Sequence, residues 1–487
     1  MKKVLWVVIV GILLLICAVF IRTTTFTSKQ LKVNPVRDIS IDARQAAEHL
    51  AGAIRFQTVS HQNGGPLKGE EFLKMRRYLE QTFPRIHGSL TRETVADHSL
   101  LYTWKGPEAG LKPILLMAHL DVVPIEPGTE SQWTHPPFEG RIAGGYIWGR
   151  GAWDNKASVM GILEAVEKHL GEGFQPRRPI YLAFGHDEEV GGLRGAGKMG
   201  ALLQERGTQL EFILDEGGLI TQGVVPGIAV PAALVGIAEK GFLSVELTVE
   251  VEGGHSSMPP AHTAIGMLSA AIRKLEDNQM PARISNSTRS LFDYLGPEMP
   301  YPNRLALANL WLLGPLVKYQ FGAGPAGNAA LRTTTAPTII EAGVKENVLP
   351  GKARAVVNFR ILPGNSIQDV MEHVRRTIAN PRVKIARFGS SNSEPSFESD
   401  VRSPNFALLQ RTISEIFSQT LVAPNLMVAG TDTKHYAKLS RNIYRFQPIK
   451  AGPKDLSLPH GMNERIALEN YKETVLFYYQ LIRNSAR

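Results

Sequence analysis

The stretch Pro113-Ile114-Leu115-Leu116-Met117-Ala118-His119-Leu120-Asp121 reads as a buried apolar strand ending in a histidine and a carboxylate two residues apart. In an extended chain residues i and i+2 share a face, so Asp121 can reach the ring of His119. Similar strand-like runs cover 99–104, 180–184 and 212–214. Between them, residues 157–170 place Val159, Met160, Leu163, Val166 and Leu170 on one helical face. Strands alternating with helices predict an α/β domain on a mostly parallel sheet. Such sheets bind ligands just past their strand ends.

Four further segments put ligand-type residues at such places: Trp153-Asp154-Asn155-Lys156, Asp187-Glu188-Glu189, Asp215-Glu216-Gly217-Gly218 and Pro459-His460-Gly461. Each alone has a plainer reading. His119 and Asp121 can be satisfied by loop backbone, and Asp154 can cap the helix that follows it. Glu188 and Glu189 can form an acidic solvent loop, and a histidine between Pro and Gly is often structural. Imidazole and carboxylate without thiolate suit zinc, and the segments in this order point to a two-metal hydrolase. Neighbouring side chains diverge, so one of Glu188 and Glu189 can bind metal while the other serves as general base.

The 487-residue chain is 43% hydrophobic, enough for two or three domains with cores of their own. Its net charge of +9 is scattered, as in Lys74-Met75-Arg76-Arg77 and Arg177-Arg178. That pattern reads as solvated faces, not as a nucleic-acid surface. Lys2 and Lys3 precede an apolar run over 4–21 that nearly spans a bilayer core. No small-residue cleavage site follows it, which favours an uncleaved signal anchor over residues 1–22 with the enzyme on the extracytoplasmic side. Secretion after cleavage is the alternative. Cys17, the only cysteine, lies inside this run, so a cysteine hydrolase is excluded. Gly254-His255-Ser256 lacks nucleophile-elbow spacing, which removes a serine hydrolase. A non-catalytic membrane-anchored binding protein on a dead hydrolase scaffold is the distant alternative, and loss of a metal ligand or of the base would mark it.

A polar linker is expected over 23–37, then a helix capped by Asp42. The catalytic domain is assigned to 38–240 and 391–487. Near Lys240 the pattern changes: Leu243, Val245, Leu247, Val249 and Val251 alternate with polar residues, as in a half-buried antiparallel strand. With a helix over 263–275, a strand over 352–361 and a helix over 366–378, residues 241–390 form a smaller inserted α+β domain. The apolar segment 305–321 within it reads as core or oligomer contact, or else as an acyl tunnel or membrane contact.

The residues also resemble a known family of dizinc metallopeptidases, which contains aminoacylases, bacterial carboxypeptidase G, succinyl-diaminopimelate desuccinylase and carboxypeptidase S. The likeness runs from about Ile41 to Leu481. Trp148-Gly149-Arg150-Gly151-Ala152-Trp153-Asp154-Asn155-Lys156 and His460-Gly461-Met462-Asn463-Glu464-Arg465-Ile466 look most like the branch of carboxypeptidase S and N-fatty-acyl-amino-acid synthase/hydrolases. The resemblance implies a three-layer α/β/α catalytic domain with a ferredoxin-like lid, often dimeric through that lid. It implies two zinc ions, replaceable by cobalt or manganese. His119 and Asp215 would hold one ion, Glu189 and His460 the other, and Asp154 would bridge them. Glu188 would be the base and Asp121 would orient His119. A cis peptide would follow Asp154. His255 would stabilise the oxyanion, while Asn347, Arg360, Gly430 and Thr431 would hold the substrate carboxylate. The implied substrates are short peptides or N-acyl amino acids.

Overall fold

The computed structural model describes residues 1–36, 39–61, 67–108 and 110–486. Among them the main sheet has ten strands. Its order is Thr91–Val95, Ser99–Trp104, Ile180–Gly185, Ile114–His119, Ile213–Asp215, Ile443–Arg445, Ala232–Glu239, Ile220–Thr221 and Lys450–Ala451, with Leu421–Met427 paired to Ala232–Glu239 off this path. Strand Ile114–His119 lies parallel to both neighbours, and the outermost pairs on its far left are antiparallel. Its residues divide between two cores. Ile114, Leu116 and Ala118 face the large cluster built with helices Ala43–Ile54, Lys156–Gly171 and Leu468–Ser485. Leu115 and Met117 face the other side, with Met199 and Leu203 of helix Ala196–Glu205. A strand apolar on both faces must be covered on both, so helices sandwich this sheet.

A second sheet orders its strands Thr334–Ala342, Lys352–Ile361, Gly241–Glu250 and Val383–Ser393, all antiparallel. Leu243, Val245, Leu247 and Val249 pack with Val357 and Phe359 under helices Ala264–Asp277 and Ile367–Ile378. In chain order this is a β-α-β-β-α-β unit, the ferredoxin-like arrangement. Two of its strands carry weak sequence signals. Pro337 and a register shift interrupt Thr334–Ala342, and that strand is largely exposed. Strand Val383–Ser393 runs through the expected boundary at 390.

Two expectations about organisation change. Residues 285–333 lie outside the small sheet. Helix Asn286–Leu295 places Tyr294 and Leu295 in the large core of the main sheet, where Tyr294 meets Phe406 edge-on. Its start is tied down by Glu398, which accepts from the amide and hydroxyl of Ser287. Nor is 23–37 a free linker. The N-terminal helix continues through Lys2–Thr25, and the Thr23, Thr24 and Thr25 hydroxyls bond back to its carbonyls. Beyond it the amide of Gln30 donates to Tyr294 O and Val422 O, and Gln410 donates to Lys29 O. The Val36 amide donates to Glu415 O. Part of the expected linker, Arg37, lies outside the described residues.

His169, at the end of helix Lys156–Gly171, stacks on Tyr479 with ring centroids 3.9 Å apart and meets Tyr479 O at 2.9 Å. Burial pushes its pKa down to about 4, against the pull of that carbonyl. The unfolded chain takes up this proton near the ordinary value of 6.5. The contribution is therefore whole above that value and is lost as pH falls toward about 4. It amounts to about 3 kcal/mol. We expect His169→Phe to flatten the fall of thermal midpoint between those two pH values; an unchanged slope would refute this role.

Candidate metal centre

The strand ends bring the acidic segments together. His119 is the last residue of its strand and is buried. Its Nε2 lies 3.0 Å from Asp154 Oδ1 and 3.3 Å from Glu216 Oε1. Across the cluster, His460 Nε2 lies 3.2 Å from Asp154 Oδ2 and 3.0 Å from Glu189 Oε2. The two oxygens of Asp154 thus serve different histidines. The other nitrogen of His119 meets the backbone carbonyl of Asp121 at 2.9 Å and its carboxylate only at 3.4 Å. The Asp121 carboxylate instead accepts from the amides of Glu188 and Glu189, at 3.1 and 3.3 Å, and fixes that turn. Asp154 is not a helix cap: Asn155 holds that place, and the Asp154-Asn155 peptide is cis.

Ligand atoms within 4.8 Å of one another form two groups, His119–Asp154–Glu189 and His119–Glu188–Glu216. Asp215 is in neither. Its backbone oxygen stays in the sheet, accepting from Phe446 N at 2.8 Å, while its carboxylate turns toward Thr431. Burial pushes Asp215 up to about 6, and its Oδ2 has no hydrogen-bond partner among the described residues. The longer side chain of Glu216 reaches the centre, where Asn155 donates to it at 2.5 Å.

The electrostatics fit a cation. Asp154, Glu188, Glu189 and Glu216 converge on two imidazoles, and the buried Glu189 Oε1 has no partner among the described residues. Burial raises Glu188 well above the carboxylate range, helped by Asp432, Glu216 and Glu189 and opposed by His119. Burial likewise lifts Glu216 to about 8. For Asp154 burial is outweighed by His119 and His460, which hold it below its ordinary value. Burial disfavours charge on His119, but Glu216, Asp121 and Asp154 prevail and raise it. Hydrogen bonds to Asp154 and Glu189 raise His460 to about 10. Crowded carboxylates that must share protons are the environment a divalent ion relieves.

Behind the centre sits Glu464, which sequence reading placed in a motif without a role. Its Oε1 accepts from the amides of Gly151, Trp153 and Asp154 at 3.0, 2.8 and 3.0 Å. Its Oε2 accepts from Arg150 at 2.6 Å, and Arg150 also donates to His460 O at 3.1 Å. One buried carboxylate therefore positions both the Asp154 and the His460 loops. His460 holds a left-handed φ of 61°, a conformation that needs such support. Gly149, at φ 142°, passes so close to Pro137 O that a Cβ would lie 2.7 Å from it.

The remaining expected residues lie apart from this cluster. His255 and Asn347 come together on the inserted domain, where Gly254–His255 pairs with Val348–Leu349 and Ser256 N donates to Asn347 O. His255 is exposed and bonds Ser257 Oγ at 2.8 Å, and no described contact joins it to the cluster around His119 and His460. Arg360 stacks its guanidinium 4.7 Å from the Phe242 ring centroid. Gly430 is exposed, and Thr431 caps the short helix Asp432–Tyr436.

We expect Glu464→Gln to leave the Arg150 cation unbalanced and to loosen both ligand loops. Zinc affinity, read by chelator competition, should fall about 10- to 100-fold, as when supporting partners of metal ligands are removed. Stability should drop by about 3–5 kcal/mol. Undiminished zinc affinity would show that the loops hold without it.

The sequence model of Peptidase family M20/M25/M40 matches residues 115–484. The chain is 45% identical to "Probable carboxypeptidase S-like 2" of Dictyostelium discoideum, over 98% of this chain and 93% of that protein. It is 40% identical to an N-fatty-acyl-amino acid synthase/hydrolase of Xenopus tropicalis, over 98% and 94%. It is 32% identical to carboxypeptidase S of Saccharomyces cerevisiae, over 90% and 83%. Its fold is similar to that of an M20 family metallo-carboxypeptidase from Sulfolobus solfataricus, at TM-score 0.65 and 18% identity over 90% of this chain and 98% of that one. The strand-end carboxylates and paired histidines thus stand on a fold and in a sequence of one lineage, and the chain belongs to the M20/M25/M40 family of metallopeptidases.

Proposed function

We propose that this chain is a zinc-dependent hydrolase that cleaves a C-terminal amide bond and releases an amino acid from a short peptide. The observation that carries this reading is Asp154, whose two oxygens face His119 and His460 separately, at 3.0 and 3.2 Å. His119, Asp154 and Glu216 would hold one zinc ion, with the buried Asp215 beside them, and Asp154, Glu189 and His460 would hold the other. Cobalt or manganese would serve in the same places. Bound zinc supplies Lewis acidity and makes water acidic enough to attack at neutral pH.

Glu188 takes the proton of the attacking water and returns it to the leaving amine. Burial raises its pKa, which suits a group that must both accept and give up a proton. Asp121 holds the Glu188 amide and orients His119. Arg360 is shielded from water and meets an aromatic face, with no carboxylate partner among the described residues. Such a guanidinium suits the free carboxylate of the leaving amino acid, with Asn347, Gly430 and Thr431 as further donors. His255 stabilises the developing oxyanion. Because it stands apart from the metal ligands within one chain, closure of the inserted domain or a second copy in a homodimer would bring it there. The helix Lys2–Thr25 would anchor the enzyme with its catalytic body on the extracytoplasmic side, or be removed on secretion.

A second reading, hydrolysis or synthesis of N-acyl amino acids, is favoured by 40% identity to a protein named for that activity. Amino-acid release by the full chain in detergent, on dipeptides and on N-acyl amino acids of rising chain length, decides between them. We expect zinc-dependent release abolished by chelator, with the better panel naming the substrate class. Glu188→Gln should lower turnover about 10²- to 10⁴-fold with the fold intact. Release that persists in chelator, or a variant that keeps more than a small fraction of activity, would overturn the assignment.

A further inference from the structure

Residues 301–321 form a hairpin of two short helices, Tyr301–Ala308 and Leu310–Phe321, that rises against the N-terminal helix. Its corner is Asn309, which is fully buried. The Asn309 amide donates to Val19 O at 3.3 Å and to Thr23 Oγ1 at 3.1 Å. Trp311 donates its indole N–H back to Asn309 Oδ1 at 3.2 Å. The Arg22 guanidinium sits 5.7 Å from the Trp311 ring centroid. On the other helix Arg304 donates to Phe26 O at 2.9 Å. These bonds set the height of the hairpin along the N-terminal helix. Val19 lies inside the apolar run, and each helical residue advances only about 1.5 Å. The corner is therefore level with the end of the apolar run, not below it.

From that corner the helix Leu310–Phe321 presents Trp311, Leu312, Leu316 and Tyr319 to the outside, 52%, 41%, 47% and 79% exposed. Its opposite face, Leu310, Val317 and Phe321, packs on Phe292 of helix Asn286–Leu295 and is part of the body. Four large apolar or aromatic side chains on one outward face form a patch that a surface in water avoids. Trp and Tyr are the residues that settle at the headgroup level of a bilayer, and a half-buried Lys318 can extend its ammonium past them.

We propose that this face lies in the interfacial layer of the same bilayer that the N-terminal helix enters, as a second point of membrane contact. The inference rests on reading Lys2–Thr25 as a membrane span, which its length and apolar composition permit. The occupant is lipid because the patch is continuous with the end of the span and fixed to it by Asn309. A second copy of the chain would have to share that level with the headgroups. With Gln30 clamped to Val422 and Tyr294, the two contacts would hold the catalytic body in one pose over the membrane.

The test uses full-length protein in phosphatidylcholine and phosphatidylglycerol nanodiscs. Nitroxide labels are placed by Leu312→Cys and Leu316→Cys in a Cys17→Ser background. Val344→Cys, on the exposed inserted domain, gives the water reference, and native Cys17 gives the span. Collision with oxygen and with a water-soluble nickel chelate is read at each site, and unchanged thermal midpoints confirm folding. We expect the oxygen-to-nickel ratio at 312 and 316 to exceed that at 344 several-fold and to approach that at Cys17. Ratios equal to that at 344, or poor collision with both reagents as under a protein partner, would overturn the proposal. If Cys17 reads as lipid while 312 and 316 read as water, only the second contact falls. If Cys17 itself reads as water, the membrane span falls with it.

Discussion

The structure of this centre depends on one buried carboxylate. Glu464 accepts from three amides of one loop with one oxygen and from Arg150 with the other, and Arg150 reaches on to the carbonyl of His460. The loop of the bridging candidate and the loop of the far histidine are thereby a single unit. The short strands Tyr146–Trp148 and Arg465–Ala467 zip the same two segments together in antiparallel register. A charged group without water is costly unless its bonds are filled, so this arrangement admits few alternatives. Precision at Asp154 follows from it, because the Asp154 amide is one of the bonds that must be made.

The centre in front of that support is under the opposite pressure. Glu188, Glu189, Glu216 and Asp154 are drawn close while burial pushes three of them toward the neutral form. Folding here stabilises neither the carboxylates nor their mutual distance on its own account. What reconciles the arrangement is positive charge, supplied in part by His119 and His460 and suited to divalent ions. Asp121 shows the same division of labour at a smaller scale: its backbone orients His119 and its side chain shapes the turn of Glu188 and Glu189.

The second region where sequence neighbours and spatial neighbours part company is 285–333. It is interposed between the first helix and the second strand of the small sheet, yet its helix Asn286–Leu295 joins the core of the main one through Tyr294 and Leu295. It also receives the N-terminal helix through Asn309 and the following segment through Gln30. The chain that enters the body is held along its way, which joins the apolar N-terminal helix to the catalytic body without a slack tether.

What the sequence determined by itself was whatever repeats along the chain or sits at the end of a run. Alternation at 243–251 and the apolar runs before His119 and Glu188 follow from side-chain period, which is local, and the two-sheet plan was legible from it. The same holds for the meeting of His119 with the segments after the neighbouring strands, because strand ends converge wherever parallel strands pair. Tertiary structure alone shows that Glu216, not Asp215, comes within 3.3 Å of His119, since adjacent carboxylates differ only in which way the chain leaves the strand. It alone gave Glu464 its role, because its partners are more than 300 positions away in sequence. It alone moved the helix Asn286–Leu295 onto the main core, and it hid the strands Thr334–Ala342 and Val383–Ser393 from sequence reading. An exposed or bulged strand is defined by the partner that fills its hydrogen bonds, and that partner is not written in its own residues.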